Sequence, residues 1–244
     1  ARCLAAWALA RLASGGPLWP TDPMPCRDDL VVVAQRHFYR TGLAAEIGVS
    51  RGGFAGNNAR SWRGLYFIID TWASRDVGGD LDLSYRENRR NVVAALRSTL
   101  HVGNRTRMVR GRSAEVARFE DGAFDWVYVD ALRTYEAVTS DLHAWCPKVR
   151  RGGLFSGDGW ADALPADVLT REQMNRGVIR AVTEFAQSKG HQLFVTYWLD
   201  CYSHLAWYFV KDYASWAWRR ISTRQMTTSS SSWLHLGVIG CISV

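Results

Sequence analysis

Cysteine is sparse in this chain, with five residues at positions 3, 26, 146, 201 and 241, no CxxC pair and no Cys/His spacing suited to zinc. A disulfide scaffold and a structural zinc site are therefore not expected, and reduced, mostly buried thiols are. Long apolar runs are also missing. The best stretch, 191–210, is broken by Asp200, whereas a membrane span needs about 20 continuous apolar residues. The expectation is a soluble, cytoplasmic protein with no membrane partner. Nor is there an excess of charge that would prevent folding: 22% of residues are charged and 48% hydrophobic, which excludes a fully disordered or collagen-like chain. The 30 Lys and Arg outnumber the 23 Asp and Glu, and the net charge of +7 favours anionic partners without naming one.

The 244 residues suit one α/β domain with ragged ends. Residues 1–29 read as an N-terminal extension. Their first half carries Arg2 and Arg11, several alanines and no acid, a composition shared by organelle-targeting remnants and ordinary amphipathic helices. Residues 214–244 read as a tail, with the hydroxyl tract Thr227 to Ser232 as a linker. Trp216, Trp218 and Trp233 in that tail suggest contact with another domain or subunit, so a homo-oligomer is compatible with the sequence.

Between the ends, short apolar runs at 44–49, 64–69, 107–109, 124–129 and 154–156 alternate with helix-length stretches such as 84–99. This order predicts a Rossmann-like, doubly wound and mostly parallel seven-stranded sheet with helices on both faces. Gly152-Gly153 reads as a turn before the fifth strand, and 192–199 with 204–210 as a closing antiparallel hairpin. Residues 30–213 form the domain.

The most informative stretch is Leu43 to Phe54, a strand ending in a carboxylate and then a glycine-rich turn. Glycine suits backbone that must approach a ligand, and the following helix offers free amides, so the stretch reads as a nucleotide-type pocket. A dinucleotide fingerprint starting at Gly48 needs glycine at position 50, which is Ser50; a nicotinamide-dependent oxidoreductase is thereby disfavoured. What stands is E-x-G-x-x-x-G at Glu46, Gly48 and Gly52. A second strand, Tyr66 to Asp70, also ends in an acid, whose oxygens can accept from both hydroxyls of a ribose or cap the next turn. A fourth, Phe124 to Val129, ends in Asp130, and a fifth in Asp158.

The glycine pattern resembles the first motif of the class I S-adenosylmethionine (SAM) methyltransferases. The longer string FDWVYVDALRTYEAVTSDLHAW, followed by GGLFSGDGW, is similar to their small-molecule O-methyltransferase-like branch of the macrocin and cephalosporin-tailoring type. The resemblance covers about residues 40–210. It implies SAM as cofactor, with Glu46, Gly48, Val49, Ser50, Arg51 and Gly52 passing under the methionine moiety. Asp70 with Thr71 would hold the ribose, Trp72 would stack on adenine, Arg112 and Ser113 would flank the base, and Asp130 would also bind the cofactor. Ser113 reads equally well as a helix N-cap.

Two positions depart from that branch. Where it usually carries a His after the fourth strand, this chain has Arg133, and Asp158 is followed by Gly159 instead of a second acid or amide. Asp130 and Asp158, at the ends of neighbouring strands, could share a Mg²⁺, short of protein ligands. Arg133 is no base and no metal ligand, but it can pair with a carboxylate or phosphate on an acceptor. Tyr135 is placed to touch cofactor or acceptor, and Trp160 to wall the acceptor pocket; His143 and His204 read as surface or structural residues.

The expected activity is methyl transfer to a small-molecule acceptor, on oxygen. A degenerate cofactor-binding relative remains an alternative, kept open by the two departures. An RNA-binding protein or RNA methyltransferase is another, motivated by Arg105, Arg107, Arg110 and Arg112, but no recognised RNA module accompanies them, so nucleic acid is not the expected partner.

Overall fold

The computed structural model describes residues 24, 26–38, 41–72, 85–160, 169–196 and 205–212. The chain enters through helix α1 (Asp29–Phe38), then alternates: β1 (Leu43–Ile47), α2 (Gly53–Ser61), β2 (Leu65–Asp70), α3 (Tyr85–Thr99), β3 (Thr106–Arg110), α4 (Ser113–Val116), β4 (Phe124–Val129), α5 (Tyr135–Trp145) and β5 (Val149–Trp160). It closes with α6 (Leu169–Lys189), β6 (Phe194–Val195) and β7 (Leu205–Val210).

The strands form one sheet in the order β3-β2-β1-β4-β5-β7-β6. β1 pairs in parallel with both β2 and β4, and β7 runs antiparallel to β5 and β6. This is the doubly wound, mostly parallel sheet with a terminal antiparallel pair that the strand spacing predicts; residues 197–204, between β6 and β7, lie outside the described set. Strand order reverses between β1 and β4. In such sheets that switch point opens a crevice at the carboxyl ends of the strands.

Side-chain alternation divides the core between the two faces. Ala44, Tyr66, Ile68, Trp126 and Tyr128 join Leu30, Ala34, Phe54 and Ala59 from α1 and α2 on one face. Ala45, Ile47, Ile69, Val127 and Val129 join Val138, Leu142, Val182 and Phe185 from α5 and α6 on the other. Strands buried on both sides read as near-continuous apolar runs, and β4, buried along its whole length, is apolar apart from Asp125 and the Tyr128 hydroxyl. Trp62, Trp126 and Trp145 are fully buried in these clusters. Among the described residues no helix is long and apolar enough to cross a membrane.

Two sequence expectations need correction, on the fifth strand and on the cysteines. The fifth strand spans Val149–Trp160, not only 154–156: Gly152-Gly153 is an irregularity inside the strand, with Gly152 at φ +71°. There the β4 register jumps from Phe124 opposite Val149 to Trp126 opposite Leu154. Met24, one of the few described residues before α1, is fully buried in the core cluster of α1 and α2. Among the described cysteines, Cys146 is free and buried, whereas Cys26 is disulfide-bonded, against the expectation of thiols throughout.

Candidate active site

Three connections converge at the crevice. The first is the loop 48–52, which leaves β1 with Gly48 at φ +89°, Ser50 at φ +49° and Gly52 at φ +77°. A Cβ on Gly48 would stand 2.0 Å from the carbonyl oxygen of Asp130, and one on Gly52 would stand 2.7 Å from Cα of Ala95 in α3. Both glycines are thus required by close packing of backbone against the chain's own neighbours. Gly53, by contrast, faces open space. Gly52 caps α2 in the left-handed conformation without a side-chain bond, so the first amides of that helix remain available to an acceptor. Val49 is buried, while Ser50 and Arg51 are exposed.

Glu46 lies beneath this loop, buried on β1. Its Oε2 accepts a hydrogen bond from the Tyr66 hydroxyl at 3.0 Å, and that hydroxyl in turn accepts from Asn58 Nδ2 at 3.2 Å. Burial first, and the charge of Asp130 second, push the Glu46 carboxyl up to about 8, so it is mostly protonated at neutral pH. Asn58 and Tyr66 were not singled out from the sequence; a buried carboxyl on β1 requires such partners, but no spacing rule identifies them.

The second connection follows β2. Asp70 Oδ2 accepts from the Ser50 amide at 2.7 Å and Oδ1 from the Trp72 amide at 2.8 Å, with the Thr71 hydroxyl at 3.4 Å. The carboxylate therefore ties the glycine loop to the loop after β2, and the capping role is realised; a carboxylate has about four acceptor positions, which leaves capacity for hydroxyls. Trp72 is buried in the core, and its indole N–H donates to the Ser50 carbonyl at 2.9 Å. It supports the loop from below instead of presenting a free face for stacking. Arg110 braces the same segment through the carbonyls of Thr71 and Trp72, at 3.0 and 3.2 Å. Ser113 Oγ accepts from Trp145 Nε1 at 2.8 Å, and Arg112 is an exposed partner of Glu115. Arg105 and Arg107 bond the carbonyls of Trp62 and Asn104. The densest basic group is thus partly spent on backbone oxygens and on Glu115, not gathered into a phosphate-binding face.

The third region joins β4 and β5. Arg133 Nη2 lies 2.7 Å from Asp158 Oδ2 and 3.3 Å from Asp130 Oδ1. Arg27, just before α1, reaches the same pair at 3.5 Å from Asp158 and 3.8 Å from Asp130. Its guanidinium lies over the Phe54 ring, 4.4 Å from the centroid. Burial acts to lower the Arg27 pKa, but Tyr128, Asp158 and Asp130 outweigh it and hold the side chain charged. Burial and the adjacent Asp158 push Asp130 up to about 6, against the pull of both arginines. Asp130 is the more open acid, its side chain 25% exposed against 3% for Asp158.

These contacts correct two expectations. Mg²⁺ does not fit the acids as they stand, because guanidinium groups take up their facing oxygens and no group of three or more His, Cys, Asp or Glu residues suited to a metal occurs among the described residues. Arg133 is paired within the chain, so it is not held open for an acidic acceptor. Tyr135 also departs from its expected place: its hydroxyl donates to Glu184 of α6 at 2.6 Å, under the guanidinium of Arg180, and so serves helix packing. His143 is exposed and lies edge-on to Phe185. His191 stacks on Phe209, where burial lowers its pKa. Trp160 is partly buried against the core, and His204 lies outside the described residues. Arg27 is a further site residue with nothing in its local sequence pattern to mark it.

Residues 45–160, which hold all three connections, match the family model described as Methyltransferase domain. This stretch is similar to a methyltransferase domain. Solved structures share the fold of this chain. An O-methyltransferase from Bacillus cereus in complex with S-adenosylhomocysteine is 13% identical with a TM-score of 0.50, over 86% of this chain and 91% of that one. An S-adenosylhomocysteine-bound methyltransferase from Podospora anserina is 13% identical with a TM-score of 0.54, over 76% and 78%. A protein from Corynebacterium glutamicum is 16% identical with a TM-score of 0.52, over 86% and 90%. No curated protein matches the sequence.

Proposed function

We propose that this domain transfers the methyl group of SAM to an oxygen of a small-molecule acceptor, with Asp130 as the proton acceptor. The observation that carries the reading is the position of Asp130. It follows β4 at the switch point, its backbone touches the glycine loop at Gly48, and its carboxyl is pushed up into the range where a side chain can take a proton near neutral pH. The methionine end of the cofactor would lie over 48–52, near the free amides of α2, and its ribose against the outer lone pairs of Asp70. Arg112 and the backbone at Ser113 would flank the base.

Methyl transfer from a sulfonium is an in-line displacement in which alignment supplies most of the acceleration. The acceptor oxygen forms the new bond to carbon as the sulfur–carbon bond breaks, the bonding pair returns to sulfur, and the acceptor proton passes to Asp130. Arg133 keeps Asp130 oriented between turnovers. That the Bacillus cereus neighbour is named an O-methyltransferase supports oxygen as the receiving atom.

Calorimetric titration with S-adenosylhomocysteine tests the cofactor half, and methyl-labelled SAM offered to panels of phenols, hydroxy acids, amines and RNA tests the acceptor half. Micromolar binding and label on the hydroxyl compounds are expected. A folded protein that binds no S-adenosylhomocysteine would overturn the reading, and label entering only amines or RNA would overturn the acceptor assignment.

A further inference from the structure

The two positions that set this chain apart from its branch, Arg133 and Gly159, are in contact. Gly159 sits at φ +84°, and a Cβ there would lie 3.3 Å from Cδ and 3.4 Å from Nε of Arg133, and 3.2 Å from a Val178 methyl. Those approaches are tighter than ordinary van der Waals contact, so a side chain at 159 would press on the path that Arg133 takes across the strand end. The missing side chain and the added guanidinium are therefore one exchange.

Its result is a cluster of four charges. Arg133 Nη2 stands between Asp158 Oδ2 and Asp130 Oδ1, within hydrogen-bond distance of both, and Arg27 approaches the same acids from the other end of the chain. Two carboxylates held this close repel one another unless a cation lies between them. A hard divalent cation answers that need with a shell of oxygen ligands. Here a planar guanidinium does so with directed hydrogen bonds, which need no shell.

We propose that the Arg133 guanidinium occupies the cation position between Asp130 and Asp158, that Gly159 is the space that admits it, and that this methyltransferase works without a divalent metal. The acids are thereby compensated permanently, and their geometry does not depend on metal supply. Arg133 is a positioning residue: it sets the orientation of Asp130, while Arg27 fastens the segment before α1 to the same pair. The inference rests on the methyltransferase reading only for the word methyltransferase; the charge exchange stands on the contacts.

The test uses Mn²⁺ as probe, followed by electron paramagnetic resonance and thermal unfolding of the whole chain. The unaltered protein should bind no Mn²⁺ at this site, keep its melting temperature when Mn²⁺ or a chelator is added, and bind S-adenosylhomocysteine equally in both. Arg133→Ala should lower the melting temperature, Arg133→Lys should recover part of the loss, and Mn²⁺ should raise the melting temperature of the alanine variant alone. Saturable Mn²⁺ binding by the unaltered protein that disappears in Asp158→Asn would overturn the proposal. So would a folded Arg133→Ala protein that ignores Mn²⁺. If the alanine variant does not fold, the unaltered protein and its Asp158→Asn variant decide the matter. Failure of S-adenosylhomocysteine to bind would strike the proposed activity and leave the Mn²⁺ result readable.

Discussion

Replacing Asp70 with Ala separates two roles that the same carboxylate can fill. In the folded chain its oxygens accept from the amides of Ser50 and Trp72, at 2.7 and 2.8 Å, so truncation removes two tethers between the loops after β1 and β2. The Ser50 amide lies near solvent, where water can take the place of the lost acceptor, and the Trp72 amide is partly buried. The net loss should then be about 1 kcal/mol, or a fall of about 2–4 °C in melting temperature. If the outer lone pairs also hold the ribose hydroxyls, the binding penalty is larger. A hydrogen bond to a charged group contributes about 1.5–3 kcal/mol, and 1.4 kcal/mol is tenfold, so S-adenosylhomocysteine should bind about 10- to 150-fold more weakly. Calorimetry well below the melting temperature reads the affinity, and a thermal melt reads the tether. Unchanged affinity together with a lowered melting temperature would remove Asp70 from the cofactor and leave it as a loop tie.

Gly48→Ala should be far more damaging: a left-handed backbone and a Cβ 2.0 Å from the Asp130 carbonyl oxygen together imply about 2–6 kcal/mol, read from the urea midpoint. Ser50→Gly, at a position already left-handed, should change that midpoint little. Glu46 holds its proton to about pH 8 when folded but only to about 4.5 in its ordinary state, so the folded chain binds the extra proton between those limits. The contribution of this group is therefore present below pH 4.5 and is lost as pH rises to 8, and Glu46→Gln should flatten that part of the pH profile measured by urea unfolding.

What could be read from the sequence was what local pattern encodes. β1, β2 and β4 announce themselves as apolar runs closed by Glu46 or Gly48, Asp70 and Asp130, and those same ends line the crevice. Gly152-Gly153 ordinarily marks a turn, whereas here β4 pairs with Val149 before it and with Leu154 after it, so β5 runs through. An aromatic beside a strand-end acid suggests a stacking face, whereas in the packed structure the buried indole of Trp72 donates to the Ser50 carbonyl. Tyr135 occupies the first turn of α5, where orientation depends on which helix packs against it, and α6 is that helix. Arg27 was invisible because its partners are Asp130 and Asp158, more than a hundred residues away, and no period or spacing links them.

The charge cluster bears on how such a sequence can change over time. Arg27, Asp130, Arg133 and Asp158 carry two positive and two negative charges in a place largely closed to water, so losing any one strands an uncompensated ion. Gly159 is bound to the same set, since any larger residue there presses on Arg133. These five positions should therefore be inherited as a block. A descendant that regains a side chain at 159 should have given up the arginine at 133, and the intermediate holding both, or neither, is the one least able to persist.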